Sequence, residues 1–183
     1  SETYVIETLS RNAGITRDVI SLFEEFFDPE RQSKKSAVTR LQKRIAATLD
    51  NVKNLDEDRI LRRFVNLVDS TLRTNFYQTD ENDHRKSYVS FKFDSANIDD
   101  LPLPRPMREI FVYSPRMEGV HLRGGKVARG GIRWSDRRED FRTEILGLMK
   151  AQMTKNAVIV PVGAKGGFVL KQPPVSGGRE ALQ

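Results

Sequence analysis

The stretch ARGGIRWSDRREDFRTEILGLMKAQMTKNAVIVPVGAKGGFVLK, residues 128–171, decides the fold of the second part of the chain. Apolar residues recur at helical spacing from residue 136 to about 156, which predicts a helix. The short apolar run AVIVPV, residues 157–162, predicts a buried strand. We interpret residues 163–167, GAKGG, as a glycine-rich turn after that strand. The stretch therefore predicts strands with a helix between them.

Upstream of this stretch, the sequence predicts helices followed by strands. Residues 88–94, YVSFKFD, alternate between apolar and polar side chains, which predicts a half-buried strand. Residues 109–114 and 119–125 are further strand candidates. Amphipathic runs predict helices over residues 16–28, 35–53 and 56–77, with Ile20 on the apolar face of the first and Asp56 as the N-cap of the third.

This order of elements predicts an α+β fold with two domains. Residues 1–85 are expected to form a helical region, and residues 86–183 an α/β region. We find no catalytic group of residues in the helical region, so we interpret it as helix packing, with a regulatory or assembly role left open.

Composition excludes several classes of protein and site. The chain has 183 residues, of which 38% are hydrophobic and 31% charged, and it has no cysteine. Disulfides, thiolate metal sites and cysteine nucleophiles are therefore excluded. No apolar run approaches the length that a transmembrane helix needs. A reducing, cytoplasmic setting agrees with the absence of cysteine.

The net charge of +6 comes from the second part of the chain. Residues 1–100 hold 16 lysines and arginines against 18 acidic residues, whereas residues 101–183 hold 15 against 7. Such an excess fits a basic module that binds nucleic acid or other anions without catalysis. It fits equally a cleft for small anions, and charge alone does not choose between them.

Three short motifs in the second part carry chemistry. Gly130 and Gly131 let the backbone approach a ligand, and the flanking Arg129 and Arg133 offer planar forks to carboxylates. The alternative is a glycine-rich turn with solvated arginines. Gln152 and Lys155 are three residues apart and share one helix face. Taken alone, Lys155 is better explained by the preference of helix C-termini for positive charge.

Lys165 is the third candidate. The segment around it is not a phosphate-binding P-loop, because Gly166 follows the lysine where that motif has serine or threonine. Nor does the chain contain a GxGxxG dinucleotide fingerprint. Two ammonium groups, Lys155 and Lys165, in one apolar cleft disfavour each other's charged form. A lysine in that setting can act as a general base.

These motifs occur together, and in this order they resemble the substrate-binding segment of the glutamate, leucine, phenylalanine and valine dehydrogenases. Those enzymes share a glycine pair after a basic residue, then a helix that ends in a lysine, then a GAKGG-type turn. The segment RWSDRREDFRTE, together with the upstream segment LDEDRILRRFVNLVDSTLRTNF, resembles the large NAD-specific glutamate dehydrogenases of bacteria. The resemblance implies that residues 86–183 begin a substrate-binding dehydrogenase domain.

The resemblance also implies a role for each candidate residue. Lys155, with Gln152, would hold the α-carboxylate of L-glutamate; Gly130 and Gly131 would line the cleft. Lys165 would be the catalytic lysine in the conversion of glutamate to 2-oxoglutarate and ammonia. Arg129 stands where glutamate-using members usually have lysine. The GAKGG turn also lacks one of the glycines that commonly precede its alanine.

The same resemblance implies what lies outside this chain. NAD would be bound by a further domain after residue 183, so residues 1–183 alone are expected to be inactive and to bind neither NAD nor a metal. The full-length enzyme is expected to be a cytoplasmic homo-oligomer that binds neither nucleic acid nor membrane. The alternative, a non-enzymatic basic module for anions or nucleic acid, would show basic residues interleaved with aromatics.

Overall fold

A computed structural model describes residues 1–32, 34–155 and 162–172, with only the backbone described at residue 155. The chain divides into two compact units. The first contains residues 1–73 and 97–100, and the second contains residues 74–96 and the chain from residue 101 onward. The domain division at residues 85/86 stays a prediction. None of the described helices has the length and apolar content needed to cross a bilayer.

Four helices build the described part of the first unit. They are α1 (Glu2–Arg11), α2 (Ala13–Phe27), α3 (Lys35–Leu49) and α4 (Leu55–Ser70). Their apolar stripes meet in one core, in which Leu22, Ile45 and Leu61 are at most 1% exposed. Each such side chain contributes about 1.5–3 kcal/mol through burial. The predicted helices are thus confirmed in outline, and α1 is an additional helix.

Three details of the first unit differ from the sequence prediction. Ile20 is 52% exposed, because Val19 and Leu22 form the buried stripe of α2 instead. The N-cap of α4 is Asn54, not Asp56, since the Asn54 side-chain oxygen accepts hydrogen bonds from the backbone amides of Asp56 and Glu57. The helix ends at Ser70 rather than near residue 77, and the strand β1 (Thr71–Thr74) follows it, where β-branched threonines favour extended backbone.

The second unit is a mixed sheet with one long helix. The strands are β2 (Val89–Phe93), β3 (Arg108–Tyr113), β4 (Met117–Arg123), β5 (Ile132–Trp134) and β6 (Ala164–Leu170). Within this unit they lie in the order β2-β3-β4-β6-β5, antiparallel except for the parallel pair β5 and β6. Helix α5 (Phe141–Lys155) connects that parallel pair, as a parallel connection requires.

The core of this unit lies between α5 and one face of the sheet. Val120 and Leu122 of β4 and Val169 of β6 pack there against Ile145 and Met149 of α5. Helices together with a mixed sheet confirm the predicted α+β class. The strands predicted at residues 88–94, 109–114 and 119–125 and the helix predicted at residues 136–156 are present with shifted ends.

The segment predicted as a glycine-rich turn is instead part of strand β6. Lys165, Gly166 and Gly167 all lie in this strand, between β4 and β5. The glycines serve close packing, because a Cβ on Gly167 would come within 2.1 Å of Ile145 Cδ1. A Cβ on Gly163, just before the strand, would come within 2.6 Å of the Met149 carbonyl oxygen. The strand predicted at residues 157–162 lies outside the described residues, apart from Val162.

Candidate functional site

The parallel pair β5 and β6 and the helix between them bring the predicted site residues to one place. Gly130 and Gly131 lie immediately before β5, and Lys165 is the second residue of β6. Gln152 and Lys155 lie in the last turn of α5, which leads back to the start of β6. The site is therefore the junction of the amino ends of two parallel strands with the carboxyl end of a helix.

Gly130 is fixed by its backbone and by its neighbours. Its φ of +100° lies in the left-handed region that favours glycine. A Cβ here would stand 2.0 Å from the Ala164 carbonyl oxygen and 3.0 Å from the amide atoms of Gln152. The sequence predicted that this glycine admits a ligand. The structure shows that it admits the start of β6 and the end of α5.

Gln152 joins the same three segments. Its side-chain oxygen accepts a hydrogen bond from the Ala164 amide at 3.2 Å, which ties α5 to the beginning of β6. The side-chain amide of Gln152 also lies against Gly130. Because the oxygen is bonded to the protein, the NH₂ group is the part of this side chain that remains suited to an anionic ligand.

Lys165 points toward the glycine pair. Its partner across the sheet, Leu122, belongs to the core under α5, so the lysine side chain starts from that same face. The Lys165 Nζ lies 3.8 Å from the position that a Cβ on Gly131 would occupy. The Gly131 carbonyl accepts the Gly166 amide at 3.1 Å and holds this segment in register. The side chain of Lys155 lies outside the described residues.

The two arginines that flank the glycine pair differ in their partners. Arg133 Nε is 2.6 Å from Glu144 Oε1. Arg129 is exposed and makes no ion pair within the described part of the chain. Arg133 uses its Nε to contact Glu144, while its side chain is 57% exposed, so the fork predicted for Arg133 stays a prediction. The fork predicted for Arg129 likewise stays a prediction.

Glu144 and Ser135 are the residues that sequence reasoning missed. The Ser135 hydroxyl donates to Glu144 Oε2 at 2.7 Å, and Ser135 is 3% exposed. This hydrogen bond, followed by the charge of Arg133, holds the pKa of Glu144 below its usual range. The carboxylate therefore stays ionised under conditions that protonate a free glutamate. The sequence indicated this contact through an acidic residue in the first turn of the helix that follows Arg133.

Comparison with known proteins identifies relatives of this chain. The family model for the catalytic domain of bacterial NAD-glutamate dehydrogenase matches residues 44–183. An NAD-specific glutamate dehydrogenase of Halomonas elongata is 54% identical over 183 residues, which is 100% of this chain and 11% of the relative. One of Pseudomonas aeruginosa is 55% identical over 98% of this chain and 11% of its own length.

A more distant relative shows how far the similarity extends. A probable NAD-specific glutamate dehydrogenase of Schizosaccharomyces pombe is 34% identical over 127 residues, or 64% of this chain. It too is matched over only 11% of its length. The chain thus spans about a tenth of the length of the curated relatives that it matches.

Proposed function

The chain belongs to the bacterial NAD-glutamate dehydrogenase family, and on that premise we propose that the full-length protein oxidises L-glutamate to 2-oxoglutarate and ammonia with NAD. This chain would supply the amino-acid side of the active site. The observation that carries the proposal is the position of the Lys165 ammonium beside Gly131, where α5, β5 and β6 meet. Among the described residues, no acidic side chain forms an ion pair with this lysine.

Lys165 would act on the imine that oxidation of the Cα–N bond produces. Water must add to that carbon, and an uncharged lysine amine can take the proton that the water loses. The carbinolamine formed then releases ammonia and leaves 2-oxoglutarate. The Lys165 Nζ lies 3.8 Å from the position that a Cβ on Gly131 would occupy, and because glycine has no Cβ, this space would be open to the reacting carbon.

The remaining predicted site residues would bind the two carboxylates of glutamate. Gln152 and Lys155 lie in the last turn of α5 and would hold the α-carboxylate. Arg129 immediately precedes the glycine pair and would meet the side-chain carboxylate. A guanidinium suits this task because it offers two parallel N–H groups to one carboxylate. Gly130 and Gly131 would form the wall between the two anchors.

The described residues do not fit NAD. Binding of a dinucleotide needs a glycine-rich turn between a strand and the N-terminus of a helix. The turn between β5 and α5, residues 135–140, contains no glycine, and its three acidic residues outnumber Arg137 and Arg138. The glycines of β6 are packed against other parts of the protein. We therefore assign no step that involves the cofactor to these residues.

A basic surface for nucleic acid is less well supported. Five cations of the second unit are held in ion pairs, namely Arg108–Asp94, Arg133–Glu144, Arg137–Asp140, Arg142–Glu109 and Lys171–Glu118. Paired charges contribute little to the attraction of a polyanion, whose binding depends on exchanging counterions for free lysine and arginine. A cytoplasmic location and a homo-oligomeric full-length enzyme remain part of the proposal.

Kinetics on the full-length protein would test the proposal. The unchanged enzyme is expected to reduce NAD when L-glutamate is added. Lys165→Ala should lower kcat by roughly a factor of a hundred or more, the scale of a lost general base. Lys150→Ala, an exposed lysine of the same helix that carries Gln152, is the matched control and should leave kcat unchanged. Near-normal kcat in Lys165→Ala would refute the catalytic assignment.

A further inference from the structure

Helix α5 lies against the glycine segment near both of its ends. Near its carboxyl end, the Gln152 amide lies against Gly130. Near its amino end, the Glu144 carboxylate holds Arg133 and Ser135, which flank Trp134. Glu144 and Gln152 are eight residues apart, which corresponds to about 12 Å along a helix. The segment from Gly130 to Ser135 thus packs against Gln152 at one end and is held by polar contacts from Glu144 at the other.

The Glu144 carboxylate makes specific contacts with two residues. Its two carboxylate oxygens have separate partners: Oε1 lies 2.6 Å from Arg133 Nε, and Oε2 accepts the Ser135 hydroxyl at 2.7 Å. The carboxylate is only 15% exposed. The Ser135 amide in turn donates to the Phe168 carbonyl at 2.8 Å, so the same residue is bonded to β6. Hydrogen bonds to an ionised group are among the stronger ones in proteins.

Strand β5 depends on this contact more than a longer strand would. It has three residues, all of them exposed, and within the described part of the sheet it pairs only with β6. Gly131 directly precedes it, so a shift of β5 moves Gly131 relative to the Lys165 ammonium. The segment that lines the proposed cleft is therefore placed by Glu144 as well as by its backbone hydrogen bonds to β6.

We propose that Glu144 is a positioning residue of the substrate site. Its carboxylate fixes β5 to α5 and so sets the place of the glycine pair beside Lys165. By contacting Arg133 Nε it also engages a second cation near the glycine pair, which favours Arg129 as the guanidinium for the side-chain carboxylate. This inference rests on the proposed function, and it adds a residue that touches neither glutamate nor the reacting atoms.

Kinetics of variants in the full-length enzyme would test the first consequence. Glu144→Ala should raise KM for glutamate about ten- to a hundredfold, since a displacement near 1 Å at a substrate site has effects of that size. KM for NAD should not change. Glu144→Gln keeps an acceptor for Ser135 and should recover part of the loss. Glu139→Gln, an exposed acid in the preceding turn, is the matched control and should behave as the unchanged enzyme.

A second measurement does not depend on activity. Hydrogen exchange of the amides in residues 128–135 should be faster in Glu144→Ala than in Glu139→Gln. Glu144→Ala and Ser135→Ala combined should cost less than the product of their separate effects on KM, because both remove the same contact. Absence of glutamate oxidation in the unchanged enzyme would refute the proposed function, whereas the exchange result would still decide the positioning role.

Two outcomes would overturn the inference. One is unchanged exchange at residues 128–135 together with an unchanged KM for glutamate in Glu144→Ala. The other is a lower yield of active enzyme with both KM values unchanged, which would show that Glu144 contributes only to folding.

Discussion

The two compact units place their charged side chains differently. In the first unit the described ion pairs have an exposed arginine: the side chains of Arg44 and Arg62, for example, are 56% and 49% exposed. In the second unit a charged pair lies inside, where Glu109 is 8% exposed and Arg142 is 24% exposed. The Arg142 guanidinium donates to both Glu109 oxygens, at 2.7 and 2.6 Å.

This difference in exposure determines how the ion pairs of each unit affect its stability. Exposed pairs are screened by water and salt, and they contribute little to stability. Buried pairs lose hydration, which their attraction repays only when the geometry is good. The second unit therefore accepts a cost that the first avoids. The pair joins β3 to α5, and α5 is the helix that carries Glu144 and Gln152 to the proposed site.

Breaking the buried pair is the change with the largest expected effect. Glu109→Gln leaves the Arg142 charge without its anion, and such a loss costs about 3 kcal/mol or more. We expect the free energy of unfolding of the second unit to fall by that amount. Urea denaturation followed by the fluorescence of Trp134, the single tryptophan, reports on this unit. Glu139→Gln is the control for a change of one charge at the surface.

A double variant sharpens the same test. Glu109→Leu combined with Arg142→Met replaces both charges with apolar groups and should cost much less than Glu109→Gln alone, because no charge is left buried. Equal losses in the single and the double variant would show that the bidentate contact itself, rather than the unpaired charge, carries the stability. A loss no greater than that of Glu139→Gln would remove the proposed contrast between the units.

The second prediction concerns Arg129, the unpaired arginine beside the proposed cleft. Glutamate differs from norvaline by its side-chain carboxylate, which needs a cation when it is buried. Arg129→Ala in the full-length enzyme should lower kcat/KM for glutamate roughly ten- to two-hundredfold, the equivalent of a lost charge-assisted contact. The value for norvaline should stay the same or rise. Steady-state kinetics with both substrates measures the ratio.

The structure also narrows the alternatives to Arg129. Arg133 was the other arginine near the glycine pair, but its Nε is held by Glu144. Lys126 is exposed and is the remaining candidate before the glycines. Arg137→Ala is a suitable control, since this arginine pairs with Asp140 in the turn before α5. An unchanged ratio in Arg129→Ala would move the carboxylate site to Lys126.

Local patterns in the sequence predicted most elements: alternation predicted β2, and helical spacing predicted α5. The grouping of Gln152 and Lys165 with the glycine pair came from the family resemblance, and their roles stay predictions. What failed was the interpretation of glycine. Gly166 and Gly167 were taken for a turn, yet they lie in strand β6, where side chains of β5 and α5 leave little room for a Cβ. The presence of a glycine in the sequence does not show whether the position needs a positive φ or lacks room for a side chain.

The choice of partner by charged groups was also beyond the sequence. Arg133 and Glu144 are separated by a strand end, a turn and the start of a helix, so their pairing follows from the tertiary fold. The same holds for Glu109 and Arg142, which are 33 residues apart. The sequence shows which residues are cationic. The packing of α5 determines which of them form ion pairs in the described part of the chain.

The smallest expected effect lies in the first unit, at Arg62. Its Nε is 2.9 Å from both oxygens of Asp58, one turn earlier on α4, and its Nη2 is 3.3 Å from Asp50. Arg62→Gln keeps the helix propensity, since both residues favour helices similarly. Because the arginine is 49% exposed, we expect a loss of at most about 0.5 kcal/mol. Hydrogen exchange of the α4 amides measures it, and 1 M salt should abolish the difference because the Debye length falls to about 3 Å. A salt-independent loss as large as that of Glu109→Gln would mean that the first unit, too, depends on its charges for stability.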